Sequence, residues 1–124
     1  MIKGMGIDLV DIERIENIIN KWGHHFLKKV FTTKEIEYCQ SKSASYQHFA
    51  VRFAAKEAVV KMLGKTEGIS WQDIEVIKAD NGRPGLLLFS QARIIAEKRG
   101  INNIQITLSH EKKMAVAQVI GEGD

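Results

Sequence analysis

The run Phe49-Ala50-Val51-Arg52-Phe53-Ala54-Ala55-Lys56-Glu57-Ala58-Val59-Val60-Lys61 decides how the rest of the chain is read. It consists of strong helix formers, contains no Gly or Pro, and is followed closely by Gly64, so the pattern predicts a helix that stops there. Apolar and small residues occupy most of its circumference, which predicts a helix covered on nearly every side. One carboxylate, Glu57, stands in this run beside Lys56 and one turn before Lys61. Ala54 and Ala50 precede Glu57 on its own face and are expected to leave space around the acid. A carboxylate with free volume beside it and a lysine above it suits a metal or phosphate site. Glu followed by Lys at i,i+4 is also a common surface pair, worth roughly 0.2–0.5 kcal/mol, so the remainder of the chain has to decide.

The bulk composition narrows the choice. At 124 residues the chain is long enough for one domain, 1–124, with its own core. Hydrophobic residues make up 44% and charged residues 27%, as in soluble globular proteins. The single cysteine, Cys39, excludes an intrachain disulfide framework and a Cys-rich zinc site, and is expected to be a reduced structural thiol in a cytoplasmic protein. The N-terminus reads as a strand with an early Asp8, not as a signal peptide, and no apolar run reaches the ~20 residues that span a bilayer. Residues 1–65 carry 11 Lys and Arg against 7 Asp and Glu, a net +4, whereas residues 66–124 carry 7 against 8, a net −1. That bias favours an anionic partner. No dense Lys/Arg cluster with interleaved aromatics is present, which argues against nucleic acid.

Outward from the central helix, Ile2 to Val10 alternates. Met5, Ile7 and Leu9 fall on one side and are expected to form a core face; Gly4, Gly6 and Asp8 fall on the other. Glycines on a strand often mark close approach of a ligand or another backbone, which leaves Asp8 at the end of a cleared face. Asp11 is expected to cap a helix of about 12–22, with Ile12, Ile15, Ile18 and Ile19 at helical spacing. Phe26, Leu27, Val30 and Phe31 anchor the segment that follows. Thr32 to Glu35 fits a capping box that starts a short helix to about Ser41. His24, His25 and His48 lack metal-ligand spacing and read as solvated.

Beyond Gly64, residues 65–70 read as a connection and Asp73 to Ala79 as a strand. Asp80-Asn81-Gly82 is a strong turn signal, followed by Arg83-Pro84-Gly85 and the apolar run Leu86 to Phe89. Ser90 is expected to cap a helix of about 91–99 that stops at Gly100. Ile104, Ile106, Leu108 and His110 share a strand face, Glu111 to Lys113 forms a turn, and Met114 to Ile120 is the last strand. Gly121 to Asp124 is expected to fray. The order predicts an α+β fold, helices packed on a mainly antiparallel sheet.

Asp8, Glu57 and His110 then stand out. Two carboxylates without Cys or a paired His suggest a hard cation such as Mg²⁺, which takes few protein carboxylates and completes its shell with water and phosphate oxygens. Lys61 could hold a phosphate oxygen. This combination points to phosphoryl-type transfer, in which positioning and charge neutralisation carry the catalysis. No Walker loop or Gly-x-Gly-x-x-Gly is present.

Gly6-Ile7-Asp8-Leu9-Val10, Arg52-Phe53-Ala54-Ala55-Lys56-Glu57-Ala58, Gly82-Arg83-Pro84 and Ser109-His110 together resemble the holo-acyl-carrier-protein synthases, a family of 4′-phosphopantetheinyl transferases, over essentially the whole chain. The resemblance implies that fold and an enzyme that moves phosphopantetheine from coenzyme A to a serine of apo acyl carrier protein, releasing adenosine 3′,5′-bisphosphate, in fatty-acid synthesis. Carried over by position, Asp8 and Glu57 would ligate Mg²⁺, and Glu57 would help deprotonate the serine. Lys61 would stabilise the pyrophosphate. His110, with Ser109 before it, would contact a coenzyme A phosphate, and Arg52 and Gly82-Arg83-Pro84 would line the nucleotide end. The resemblance further implies a homotrimer with sites between neighbouring subunits, and a carrier docked on the first helices, with Arg14, Lys21, Phe26, Lys28 and Lys29 as contacts. In one respect the chain departs from the family: the loop before the central helix supplies only Lys42 for the coenzyme A 3′-phosphate, and Lys112 or Lys113 are the alternatives.

Overall fold

The structure, a computed structural model, describes residues 1–64 and 67–124. In chain order its elements are β1 (Ile2–Asp11), α1 (Ile12–Trp22), α2 (His24–Val30), α3 (Thr33–Gln40), α4 (Ser45–Leu63), a 3₁₀ turn (Trp71–Asp73), β2 (Ile74–Lys78), β3 (Pro84–Leu88), α5 (Ser90–Lys98), β4 (Asn103–His110) and β5 (Met114–Glu122). The long central helix forms as expected and ends at Gly64, whose φ of 74° closes it in the left-handed conformation. Phe49, Ala50, Val51, Ala54, Ala55, Ala58, Val59, Met62 and Leu63 are all buried, so α4 is the core of the molecule rather than a surface helix.

Two antiparallel sheets surround it. One has the order β1-β5-β4 and the other is the hairpin β2-β3. The α+β class is therefore as expected, with its antiparallel strands divided between two sheets. Helix α4 lies across β1 and β5. The expected caps form at Asp11, which accepts from the N–H groups of Glu13 and Arg14, and at Thr32, which makes a full capping box with Glu35. The turn at residues 80–82 joins β2 to β3, closed by hydrogen bonds from the Ala79 N–H to the Arg83 carbonyl and from the Gly82 N–H to the Ala79 carbonyl.

Three expectations are corrected. The core face of β1 is the glycine face: Met5, Ile7 and Leu9 are exposed, at 61%, 57% and 63%, whereas Gly6 and Val10 are buried. The cause is the close approach that the glycines permit. A Cβ on Gly6 would lie 1.8 Å from the Ala58 carbonyl oxygen, and one on Gly4 2.6 Å from that of Met62. The strand therefore rests on the backbone of α4, and its larger side chains have nowhere to go but outward. Second, Ser90 does not cap α5: it is the first helical residue, with φ of 49°, and its side chain makes no capping bond. Third, Gly121 to Asp124 is not a frayed tail. β5 continues to Glu122, Gly121 and Gly123 are buried, and Gly123 exchanges backbone hydrogen bonds with Met1 at 3.0 and 2.8 Å.

The seam between β1 and α4 gives a direct stability prediction. Gly6→Ala forces a methyl against helix backbone that cannot give way as a flexible side chain would, and is expected to cost about 3 kcal/mol in chemical denaturation, the upper end of ordinary overpacking. A cost below about 0.5 kcal/mol, the size of a neutral surface change, would mean that the strand does not sit on the helix in this way.

Candidate functional site

Asp8 and Glu57 come together where β1 crosses α4. Lys61 Nζ lies 3.0 Å from Asp8 Oδ1 and donates a second hydrogen bond to the Ile7 carbonyl at 2.9 Å. Glu57 is half-buried. Burial, and then the Asp8 charge, push its carboxyl above the usual carboxylate range, against the opposing influence of Lys61 and Arg14. The glycine face of β1 thus brings two carboxylates and a lysine together, with Arg14 of α1 within electrostatic reach. The space beside Glu57 is not where the alanine spacing places it. Ala50 and Ala54 are fully buried in the core. The opening is a cavity of about 220 Å³ on another flank, walled by Val60, Ile69, Trp71 and Ile74.

A second, larger cavity of about 610 Å³ lies between α4, the β2–β3 hairpin and β4. Arg52, Gly82, Arg83, Pro84 and His110 all line it, as the expected nucleotide end would require, and so do Tyr38, His48 and Lys78. Its lining carries two arginines, a lysine and two histidines, and no acid. Arg52 is 6% exposed, stacks its guanidinium 4.3 Å from the centroid of the Tyr38 ring, and has no hydrogen-bond partner at Nε among the described residues. A buried cation with an unpaired N–H on the wall of an acid-free cavity is the electrostatic signature of an anion site.

The two groups lie on different flanks of α4, because the five residues from Arg52 to Glu57 turn the helix by about 140°. Asp8, Glu57 and Lys61 do not line the cavity that holds Arg52 and His110. Ser109 also stays apart. It is exposed and does not line the cavity that His110 lines, although Gln105 and Thr107 of the same strand do. Lys112 and Lys113 are exposed in the β4–β5 turn and do not line that cavity either. Lys42 does reach its border, 4.9 Å from the Tyr38 ring centroid. Arg14, Lys21, Lys28 and Lys29 are exposed on α1 and α2. Phe26 is half-buried against Phe31 and Phe53, with ring centroids 6.1 and 6.4 Å away.

Two features escape the sequence reading. His48 is not simply solvated: it is half-buried in the large cavity, edge-on to Tyr38 at 5.7 Å and to His110 at 6.3 Å. The other is a buried ion network under α4. Lys56 is fully buried, pairs with Glu35 at 2.7 Å, and donates to the carbonyls of Trp71 and Ile74 at 3.1 and 2.5 Å. The same Glu35 carboxylate accepts from the N–H groups of Thr32 and Val76, and Thr32 donates its hydroxyl proton to buried Glu75. Lys56 therefore fixes the segment that walls the cavity beside Glu57. Cys39, buried and unpaired, has its thiol pushed up to about 12 by burial, which makes it an inert structural group.

No described helix is long and apolar enough to cross a membrane. Among the described residues no group of three or more His, Cys, Asp or Glu side chains is placed to hold a metal. Asp8 and Glu57 remain a pair of carboxylates.

Comparison with known proteins gives a consistent result. Residues 4–118 match the model of the 4′-phosphopantetheinyl transferase superfamily. The chain is 46% identical over 123 residues to the holo-[acyl-carrier-protein] synthase of Halothermothrix orenii, covering 98% of each chain. It is 50% identical over 125 residues to that of Syntrophus aciditrophicus, covering 99% of this chain and 98% of the relative. Among solved structures it resembles the holo-(acyl-carrier-protein) synthase of Bacillus anthracis in complex with CoA (3′,5′-ADP), with a TM-score of 0.81 and 33% identity over 100% of this chain and 99% of that one.

Proposed function

This chain belongs to the 4′-phosphopantetheinyl transferase superfamily and is an enzyme of that class, and from that premise we propose that it transfers phosphopantetheine from coenzyme A to a serine of apo acyl carrier protein. The serine oxygen forms a new bond to the phosphorus that carries the pantetheine arm, the bond from that phosphorus to the bridging oxygen breaks, and adenosine 3′,5′-bisphosphate leaves. The observation that carries this reading is the division of labour on α4. A carboxylate pair with a lysine stands on one flank, and an acid-free cationic cavity with an unpaired buried arginine N–H stands on the other.

Glu57 takes the serine proton in this scheme. With no cation present, burial and then Asp8 hold its carboxyl above the ordinary carboxylate range; a bound cation would draw it back down, so its part in proton transfer rests on its position at the site. Lys61 spends two N–H donors on Asp8 and the Ile7 carbonyl and keeps a third for a pyrophosphate oxygen. Arg52 and His110 receive a phosphate at the nucleotide end, and the Gly82-Arg83-Pro84 turn borders the base.

The residues fit a divalent cation. Burial first, and then the Asp8 charge, raise the Glu57 carboxyl, so the two acids lie within electrostatic reach of each other, and two carboxylates are what Mg²⁺ takes from a protein when water and phosphate complete its shell. Asp8 and Glu57 would hold it, and when bound it would supply positive charge to the pyrophosphate.

The homotrimer is part of the same proposal. Ile2, Met5, Ile7 and Leu9 form an exposed apolar row on β1, the edge strand of its sheet, and rows of this kind are covered in stable assemblies. Because the carboxylates and the cationic cavity do not face one another within a chain, a site shared between neighbouring copies would bring them together. Location in the cytoplasm and a place in fatty-acid synthesis follow from the same reading.

The acidic carrier would arrive over α1 and α2. Arg14 is exposed and acts electrostatically on Glu57, so the carrier that meets Arg14 brings its serine to the base. Arg14→Glu is expected to raise KM for the carrier about tenfold at low ionic strength, with the difference shrinking in salt, and to leave coenzyme A affinity unchanged in a binding titration. Weakened coenzyme A binding would move Arg14 to the nucleotide site. The function as a whole is tested by ion-exchange chromatography of reactions containing coenzyme A, Mg²⁺ and apo carrier. Adenosine 3′,5′-bisphosphate should form only when the carrier is present. Formation without it would indicate hydrolysis of coenzyme A, and no formation would overturn the proposal.

A further inference from the structure

We propose that His48 is a phosphate-positioning residue that binds the coenzyme A 3′-phosphate as an imidazolium, together with Lys42, Arg52 and His110. The inference rests on the transferase reading above and deepens it. Three nitrogen-bearing side chains surround one aromatic ring on this wall of the cavity, and a fourth stands behind one of them. Arg52 and Lys42 lie 4.3 and 4.9 Å from the Tyr38 centroid, His48 meets that ring edge-on at 5.7 Å, and His110 stands 6.3 Å beyond His48. The groups come from several elements: Tyr38 from α3, Lys42 from the loop after it, Arg52 from α4 and His110 from β4, while the β2–β3 hairpin adds Lys78 and Arg83 to the same cavity. No carboxylate lines the cavity to neutralise them.

The identity of the phosphate follows from the second site. The pyrophosphate that reacts requires the carboxylate pair and Lys61, and the cationic cavity contains no carboxylate through which a cation could be shared. It suits the phosphate that is bound but not transferred, the one on the ribose 3′-oxygen. Lys42, beside Tyr38, therefore fills the role for which Lys112 and Lys113 were the alternatives.

His48 makes this contact conditional on pH. In the free protein, burial and then the charges of Arg52, His110 and Lys42 hold its imidazole below its ordinary value. A phosphate placed among these cations favours the protonated ring, so binding raises the value and takes up a proton. By linkage, affinity for a 3′-phosphorylated ligand rises as pH falls through the histidine range and levels off once His48 is protonated in the free protein.

The test is isothermal titration calorimetry of coenzyme A and of 3′-dephospho-coenzyme A into wild type, His48→Phe and His48→Gln at pH 6 and pH 8. Each is run in two buffers of different ionisation enthalpy so that protons can be counted. Circular dichroism confirms that the variants are folded, and the two replacements differ in size and polarity, so a packing defect would not affect both equally. At pH 6, wild type is expected to bind coenzyme A about tenfold more tightly than either variant, one unit of pH-equivalent free energy. The gap should close at pH 8, and the proton uptake should fall in both variants. With 3′-dephospho-coenzyme A, wild type and variants should bind alike. Equal affinity and equal proton uptake in wild type and variants would overturn the role of His48, and so would a difference that persists without the 3′-phosphate. Failure of wild type to bind coenzyme A at all would overturn the transferase reading itself.

Discussion

Glu57→Gln is expected to lower the rate of phosphopantetheine transfer by about 10²–10⁴-fold, the usual contribution of a positioned general base. The replacement keeps the size and shape of the side chain but can neither take the serine proton nor carry the charge that a divalent cation needs. The fold should be unaffected. Burial and Asp8 hold the Glu57 carboxyl above its unfolded value, so its ionised form is disfavoured in the native state, and removing the charge relieves a repulsion instead of breaking a bond. The thermal midpoint of Glu57→Gln should therefore equal or slightly exceed that of wild type at pH 7. Turnover within tenfold of wild type would remove Glu57 from proton transfer, and a large drop in the midpoint would mean that the residue is structural.

Lys56→Met is expected to have the opposite profile. Lys56 adjoins Glu57 in sequence but is turned about 100° from it around α4, into the core, where it is the cation of a buried network. Its removal leaves Glu35 buried without its ion-pair partner and takes away the charge that acts on nearby buried Glu75. Breaking a buried pair from one side costs about 3–5 kcal/mol, which is a large share of the stability of a chain of this size. Burial depresses the Lys56 ammonium, and the Glu35 charge and hydrogen bond oppose that shift, so the pair is what keeps the charge in place. The carbonyls of Trp71 and Ile74 lose their donor as well, and with them the wall beside Glu57 loosens. Denaturant unfolding measures the first effect and residual transfer activity the second. A cost near zero would mean that the network is replaceable by packing alone. Adjacent residues of one motif thus separate: Glu57 is expected to govern rate without stability, Lys56 stability first.

The central helix, its stop at Gly64, the caps at Asp11 and Thr32, the turn at residues 80–82 and the strand carrying His110 are all legible in the sequence because each rests on a local rule. The errors have a common origin in contacts between distant segments. Alternation in β1 separates two faces but does not say which one meets the core. The larger side chains suggest Met5, Ile7 and Leu9, yet the glycines were the better signal, since only they allow the strand onto the α4 backbone. An exposed apolar row on an edge strand then suggests assembly, which a rule that hides large side chains in the core overlooks. Glu35 is correctly placed by its capping box, but the box says nothing of Lys56 and β2, which bury that same carboxylate. The last four residues look like a tail until Met1 and β1 are seen to pair with them.

The candidate site divides along the same line. Asp8, Glu57 and Lys61 could be grouped from sequence because the glycine face and the helix spacing both point to close approach. Arg52, Arg83 and His110 meet in one cavity because three separate elements converge there, which no local pattern announces. Ser109 adjoins His110 on β4 yet stays exposed and outside the cavity, which adjacency in the sequence does not reveal. His48 had no motif to mark it. One cue was available: it lies one turn before Arg52 on the same face of α4.

The most direct measurement is intact-protein mass spectrometry of an apo acyl carrier protein after incubation with this protein, coenzyme A and Mg²⁺, beside an EDTA control. A mass gain of one phosphopantetheine, present with Mg²⁺ and absent with EDTA, is the predicted result. A carrier that keeps its apo mass across a panel of acyl carrier proteins, while this protein still binds coenzyme A, would contradict it and leave a coenzyme A-binding protein without transferase activity.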